Sequence, residues 1–287
     1  MALHKTCGPN TVIGYLGIIL DSHKMEARLP IDKLQRDTEI LRSFQNRQSC
    51  TKRELLQLLG HLIFASKVII PGRSFVSHII KLSTTVKALH HHVKLNSECR
   101  EDIRMWLTFL QYWNGVGIFY DLQITTTEDI KLYTDASGTR GFGGYLQGQW
   151  FSQAWPPNIQ DYVHSTDEIS IAFKELYPIV VAAMIWGHGW KGLRIMFMCD
   201  NIATVAILHK GRSKSAHIMP LMRRLTMCAA RNNFVVMATH VPGKLNLIAD
   251  SLSRLQMARF RTLAPEADYI PCQVPHPKDI LWNSEEL

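Results

Sequence analysis

The sequence predicts a mixed α/β protein in which a domain with a five-stranded sheet follows a mostly helical region. Its 287 residues are long enough for two domains of ordinary size. Up to about residue 122 most apolar residues recur at helical spacing. Beyond residue 129, strand-like segments alternate with helical ones. We therefore divide the chain into a first region (1–122), an α/β domain (123–258) and a proline-containing tail or linker (259–287).

The first region begins with β-rich sequence and continues as helices. The stretch 11–20 predicts a strand, and a turn at 21–23 leads to a returning strand at 25–29. Thr51 and Glu54 have the spacing of a capping box, which predicts a helix start. The predicted helices lie at about 31–44, 52–69, 74–90 and 97–113.

The α/β domain is predicted to contain three consecutive strands joined by short turns and two later strands reached through helices. The first three should pair antiparallel, and the later two should add in parallel through right-handed crossovers. The strands are expected near 130–135, 141–146, 149–155, 193–199 and 234–240, with helices near 166–187, 201–209, 215–232 and 246–257.

Composition narrows the class of protein and its partner. The chain is 46% hydrophobic with a net charge of +8, which favours a polyanionic partner, either nucleic acid or an acidic membrane surface. It has neither the apolar core of a signal peptide nor 18 uninterrupted apolar residues. Six widely spaced cysteines, without a C-x-x-C pair or Cys/His spacing typical of zinc sites, indicate reduced thiols. We expect a soluble intracellular protein of the cytoplasm or nucleus, not a secreted or membrane protein.

Four acids occupy comparable places in the α/β domain. Asp135 ends the first strand, Glu175 lies within an apolar helix, Asp200 ends the fourth strand, and Asp250 lies in the last helix. Each has an ordinary structural interpretation. Asp135 could be a turn residue and Glu175 a solvated helix position. Asp200 could be a helix N-cap and Asp250 an exposed helix acid.

Taken together, the four acids favour a metal centre. Asp135 and Asp200 end strands that are predicted to be neighbours, and Glu175 shares a helix face that should pack on the sheet. Like charges this close raise one another's pKa unless cations keep them ionised. Oxygen ligands suit Mg²⁺ or Mn²⁺, and two such ions support in-line attack on a phosphate. The positive net charge then suggests a nucleic-acid substrate.

The motifs around these acids resemble a known family. YTDAS, KELYPIV, CDN and HVPGKLNLIADSLSR are similar, in order and separation, to the four acidic motifs of the ribonuclease H domain of retroelement reverse transcriptases. The resemblance implies a ribonuclease H-like fold and cleavage of the RNA strand of RNA–DNA hybrids. It assigns Asp135, Glu175, Asp200 and Asp250 as catalytic, metal-binding residues.

The resemblance extends over nearly the whole chain. GYLGIILDSHKMEARLPIDKL and KRELLQLLGHLIFASKVIIPGRSFV are similar to the palm end and thumb of reverse transcriptases from DIRS-type elements, which carry a tyrosine recombinase. The polymerase motif Y-x-D-D is absent, so polymerase activity is not expected.

The chain resembles a truncated polyprotein product, and other retroelement proteins are its possible partners. The alternative is a catalytically idle or domesticated nucleic-acid-binding protein, and a different nuclease or integrase on the same sheet is disfavoured by the acid spacing.

Substrate contacts are predicted from glycines and basic residues. Backbone groups near Gly138 and Gly144 should approach the 2′-hydroxyls of an RNA strand. Basic side chains just after the helix predicted at 201–209 should contact phosphates. We interpret His240 as a strand-end residue. The predicted substrate-binding residues are Gly138, Gly144, Asn201 from the CDN motif, Lys210, Arg212 and Lys214. Arg223, Arg224 and Arg231 either add to the positive field or form a solvated helix face.

Overall fold

The chain forms two compact units, residues 1–119 and 120–287. The structure is a computed structural model that describes residues 8–113, 116–118, 124–126, 132–157, 159, 169–213, 215, 217–242 and 245–281.

The first unit contains helices and two small antiparallel sheets. A four-stranded sheet has the order β1-β2-β3-β6, and β4 pairs with β5. Trp106 and Phe109 are fully buried in its core, and the Trp106 indole donates to the Phe75 carbonyl. The elements are β1 (Val12–Tyr15), β2 (Ile18–Asp21), β3 (Glu26–Arg28), α1 (Ile31–Gln45), β4 (Ser49–Thr51), α2 (Lys52–Ala65), a 3₁₀ helix (Ile70–Val76), α3 (Ser77–Ser83), β5 (His92–Lys94), α4 (Ser97–Trp113) and β6 (Val116–Ile118).

This unit differs from the sequence prediction in several details, and the strands β4, β5 and β6 were not predicted. The stretch 11–20 is a hairpin rather than one strand, because Leu16 and Gly17 both adopt positive φ (48° and 77°) and reverse the chain. The helix expected at 74–90 is α3, which ends at Ser83. The hydroxyls of Ser83, Thr84 and Thr85 each donate to a carbonyl three residues back, a local pattern that competes with helix continuation. The predicted capping box at the start of α2 is confirmed.

The second unit alternates strands and helices, which confirms the mixed α/β class. Most elements begin within a few residues of their predicted positions, but the short strand β7 was not predicted. The elements are β7 (Ile124–Thr126), β8 (Leu132–Ala136), β9 (Gly141–Leu146), β10 (Gln149–Ala154), α5 (Ile171–Trp186), β11 (Arg194–Cys199), α6 (Ile202–Lys210), α7 (Met219–Asn232), β12 (Val235–His240), α8 (Leu247–Ser253), α9 (Met257–Leu263) and α10 (Pro277–Ile280).

The strands of the second unit form two three-stranded sheets in the described part of the chain. One is antiparallel with the order β10-β9-β8, and the other is parallel with the order β12-β11-β7. Strand β7 pairs with the first half of β11, while β8 contacts β11 from the antiparallel sheet. The two sheets therefore meet where β8 and β11 end, which is where Asp135 and Asp200 are located.

Helix α5 is the central helix of this unit and carries Glu175. Ser170 caps it by accepting a hydrogen bond from the Phe173 amide, and most of its residues are buried. Pro178 lies inside it, one turn after Lys174, whose carbonyl loses its usual amide donor. The helix nevertheless continues to Trp186 and packs on β8 and β9, which fixes Glu175 against the sheet.

The segment after residue 258, expected as a tail or linker, is instead part of the second unit. Phe260 is fully buried and packs against the rings of Trp150 and Tyr145. The Asp268 and Cys272 amides then donate to carbonyls of residues 148 and 150. The sequence does not show this packing, because short segments held by a few aromatic contacts have no periodic pattern.

Within the described residues, no helix is both long and apolar enough to cross a bilayer.

Candidate metal centre

Two of the predicted acids come from adjacent strand ends. Asp135 lies near the end of β8, opposite Gly143 of β9. Its Oδ2 accepts a hydrogen bond from the Ser253 hydroxyl of α8. Asp200 directly follows β11 and is exposed. Because a polar residue at a strand end can leave the hydrophobic interior, both carboxylates reach the same edge of the fold.

Glu175 and Asp200 meet in a cleft between α5 and the sheet edge. A carboxylate oxygen of each and the Cys199 thiol sulfur all lie within 4.8 Å of one another. The cleft has about 560 Å³ of open space. Its lining residues are Leu132, Tyr133, Thr134, Glu175, Ile179, Met198, Cys199, Asp200, Val241, Leu245 and Asn246.

The electrostatics show that the acids crowd one another. Burial, together with the charges of Asp135 and Asp200, raises the pKa of Glu175 to about 9. Burial also raises the pKa of Asp135 to about 6; the hydrogen bond from Ser253 lowers this pKa, and the charges of Asp200 and Asp250 raise it further. Without a cation, Glu175 is therefore protonated near neutral pH.

Asp250 belongs to the same charged group but is held differently. Burial raises its pKa, but hydrogen bonds from Arg254 and Arg259 outweigh burial and leave the pKa below its usual value. Arg254 Nε donates to Oδ1 at 2.6 Å, and Arg259 Nη1 donates to Oδ2 at 2.7 Å. Both carboxylate oxygens thus have arginine partners. Asp250 is close enough to raise the pKa of Asp135, although neither of these two acids is among the residues that line the cleft.

The two predicted glycine contacts differ in accessibility. Gly138 is exposed in the turn between β8 and β9, where its carbonyl accepts a hydrogen bond from Lys174 Nζ at 2.5 Å. Gly144 is buried in the central strand of its sheet, and a Cβ there would lie 2.5 Å from the Phe151 ring. A glycine is therefore required here for packing, and the sequence gives no sign of the ring that covers it.

The other predicted contacts occupy helix ends. Asn201 caps α6 by accepting from the Thr204 amide at 3.0 Å, which commits its side-chain oxygen. Lys210 and Arg212 are exposed at the other end of α6. Lys214 lies outside the described residues.

The remaining basic residues on α7 divide by exposure. Arg223 is only 8% exposed, so it does not belong to a solvated helix face, whereas Arg231 is exposed. His240 ends β12 as predicted, and its ring Nε2 lies 3.2 Å from the Asp200 carbonyl oxygen.

Sequence reasoning missed several residues of the centre. Ser253 and Arg254 follow Asp250 by three and four positions, a helical spacing that would have placed them beside it. Cys199 directly precedes Asp200 in the CDN motif but was interpreted as a core thiol. Asn246 lines the cleft and donates to the Thr134 carbonyl at 2.8 Å. Its Oδ1 is buried and has no hydrogen-bond partner within the described residues.

The donor set fits divalent cations. The charge of Asp200 raises the pKa of both Glu175 and Asp135, and within the described residues the buried Asn246 Oδ1 nearby lacks a hydrogen-bond partner. Oxygen donors of this kind are the preferred ligands of Mg²⁺ and Mn²⁺. Asp135, Glu175 and Asp200 would hold such ions, and Asp250 would join them if its arginine contacts rearrange.

Comparison with known proteins adds no relative: the chain matches no family model and no curated protein sequence.

Proposed function

We propose that the protein is a metal-dependent endonuclease that hydrolyses the RNA strand of RNA–DNA hybrids. The observation that carries this proposal is the meeting of Glu175 and Asp200 in one cleft, with Asp135 close enough that its charge raises the pKa of Glu175. A solvated helix acid or a simple turn residue would not be buried beside two other carboxylates.

The chemistry follows from what these residues do to a phosphate group. Two bound Mg²⁺ or Mn²⁺ ions would neutralise the carboxylates, activate a water molecule and stabilise the leaving oxygen. Asp200, which is exposed, would bind at the open edge of the cleft, and Asp135 would bind from the end of β8. Glu175 would bind from its buried side, where the low dielectric strengthens its attraction to a cation.

The substrate class is supported by charge and by sequence resemblance. The net charge of +8 favours a nucleic acid, and exposed Lys210 and Arg212 are available to contact phosphates. The choice of RNA–DNA hybrid rests on the four acidic motifs, which resemble those of retroelement ribonuclease H domains. On this proposal the chain derives from a retroelement reverse transcriptase polyprotein.

The finer fold assignment belongs to the same proposal. We infer that the five strands β10, β9, β8, β11 and β12 together correspond to the five-stranded sheet of a ribonuclease H-like domain, with β7 as an additional short strand beside β11. The contact of β8 with β11 supports this order. Residues 1–119 would be the thumb-like and connection-like region.

A second function is favoured by one observation, the pairing of Asp250 with Arg254 and Arg259. If these arginines stay in place, they occupy both oxygens of the fourth acid and leave an incomplete metal centre. The protein would then be a catalytically idle or domesticated retroelement product that binds nucleic acid.

The two functions are separated by incubating the purified protein with labelled RNA–DNA hybrid, double-stranded RNA and double-stranded DNA. Each is tested in Mg²⁺, in Mn²⁺ and in chelator. The nuclease proposal predicts cleavage of the RNA strand of the hybrid alone, abolished by chelator and by Asp135→Asn. Binding of hybrid without cleavage in either metal would support the second function and refute the first.

A further inference from the structure

We infer that Cys199 makes this centre a binding site for a thiophilic divalent cation such as Zn²⁺, with Glu175 and Asp200 as the other protein ligands. This cation is distinct from the Mg²⁺ or Mn²⁺ of the proposed reaction, and binding it would inhibit that reaction. The inhibitory part of the inference rests on the proposed function, whereas the binding part does not.

The first support is the position of the thiol. Cys199 is the last residue of β11 and is only 6% exposed, yet it lines the cleft that contains both acids. Its sulfur and the two carboxylate oxygens lie within 4.8 Å of one another. One tetrahedral Zn²⁺, with bonds of about 2.0–2.3 Å, would place such ligand atoms roughly 3.5 Å apart. Side-chain rotations that move the ligand atoms by about an ångström would therefore bring them to the spacing that Zn²⁺ requires.

The second support is an unsatisfied acceptor in the same cleft. Asn246 Oδ1 is buried and lacks a hydrogen-bond partner within the described residues, while its amide nitrogen is fixed by the Thr134 carbonyl. A buried oxygen without a partner costs free energy, so its presence in a cleft indicates a bound ligand or an ordered water. A zinc-bound water, the fourth ligand of many such centres, is a suitable donor.

The chemistry of the donors favours zinc over magnesium at this position. Thiolate is a soft ligand that binds Zn²⁺, Cd²⁺ and Co²⁺ well and Mg²⁺ poorly. As the Cys199 sulfur–metal bond forms, the thiol proton leaves to solvent, and no oxidant or reductant is needed. Zinc held in this way would occupy Glu175 and Asp200, two of the four acids proposed for the catalytic cations.

Cobalt provides a direct spectroscopic test, because a thiolate bound to Co²⁺ gives a ligand-to-metal charge-transfer absorption in the near ultraviolet. The full chain is titrated with Co²⁺ and then with Zn²⁺. We expect one equivalent of Co²⁺ to produce the absorption and Zn²⁺ to remove it. Cys199→Ser should lose it, whereas Cys228→Ser, a control at the partly exposed cysteine of α7, should retain it.

The inference is overturned if the parent protein binds Co²⁺ without the thiolate absorption, an outcome that does not depend on any variant folding. It is also overturned if the Cys199→Ser variant, folded as judged by circular dichroism, keeps the full absorption.

Hybrid cleavage tests the inhibitory consequence separately. In Mg²⁺, Zn²⁺ should inhibit the parent and the Cys228→Ser variant at a concentration at least about tenfold lower than it inhibits Cys199→Ser, since loss of one ligand weakens binding by at least this factor. Charge-transfer absorption without any hybrid cleavage would support the zinc site and contradict the proposed function. Cleavage that is equally zinc-sensitive in all three proteins would contradict inhibition through Cys199.

Discussion

Replacing Glu175 with glutamine tests how strongly the cleft disfavours its charge. Glutamine keeps the shape of the side chain and mimics the protonated acid. Because the pKa of Glu175 is raised to about 9, the acid carries its proton near pH 7 in the folded, metal-free protein. The Glu175→Gln variant should therefore fold to the same structure.

The magnitude follows from proton linkage. The Glu175 carboxyl has a pKa of 4.5 in the unfolded chain and about 9 in the folded protein, so the folded state binds the proton more tightly. Its contribution to stability is complete below pH 4.5 and is lost as the pH rises towards 9. Between pH 4.5 and pH 7 the parent should lose roughly 3 kcal/mol from this group, at about 1.4 kcal/mol per pH unit. The variant lacks this loss.

The assay is urea denaturation in the presence of chelator, at pH 4.5 and at pH 7. The free energy of unfolding of the Glu175→Gln variant, measured relative to the parent, should increase by roughly 3 kcal/mol between the two pH values. Glu39, an exposed acid of α1, provides a matched control, and Glu39→Gln should show no comparable change.

Two results would refute this reasoning. Equal pH dependence in the parent and the Glu175→Gln variant would mean that Glu175 is solvated in the folded protein. Hybrid cleavage by the variant at the parental rate in saturating Mg²⁺ would make Glu175 a structural acid and remove it from the metal centre.

Three further predictions concern metal binding and packing. Mg²⁺ binding should release protons near pH 7 and become tighter as the pH rises from about 6 to about 9, because Asp135 and Glu175 must ionise to bind the ion. Calorimetry in buffers of different ionisation enthalpy measures the proton release, and a binding heat that is independent of the buffer would contradict the prediction. Gly143→Ala should destabilise the protein by about 1–3 kcal/mol and impair cleavage, because the new Cβ would lie 2.4 Å from the Leu252 Cβ of α8. The control is Gly189→Ala, where the new Cβ meets open space. Equal thermal denaturation of the two variants would exclude this packing role for Gly143. Phe260→Ala should lower the free energy of unfolding by about 3–5 kcal/mol, measured by chemical denaturation, since the ring is fully buried. A loss below about 1 kcal/mol would mean that α9 is a dispensable tail.

The strands and helices with regular patterns were predictable from the sequence. Strand β11 (Arg194–Cys199) lies within the predicted range 193–199, and α4 occupies the range 97–113, because alternating or helically spaced apolar residues directly determine which faces are buried. The α/β class follows from their alternation.

Features that depend on tertiary contacts were not predictable. Strand β7 has only three residues and exists through its pairing with β11, and Phe260 is buried because of rings more than a hundred residues earlier. The hairpin at Leu16 and Gly17 depends on positive φ at a leucine, a conformation that leucine rarely adopts.

The candidate site divides in the same way. The strand-end positions of Asp135 and Asp200 and the apolar setting of Glu175 were visible in the sequence. The arginine partners of Asp250 and the proximity of Cys199 to two acids depend on how the helix ends and the strand edge meet in three dimensions.

The most direct test of the metal centre is crystallography of the protein soaked with Mn²⁺, using anomalous scattering to locate the ions. The proposal predicts two peaks about 3.5–4 Å apart, both in contact with carboxylates of Asp135, Glu175 and Asp200. An anomalous map with no peak in this cleft at saturating Mn²⁺, while the protein retains its fold, would contradict the central claim.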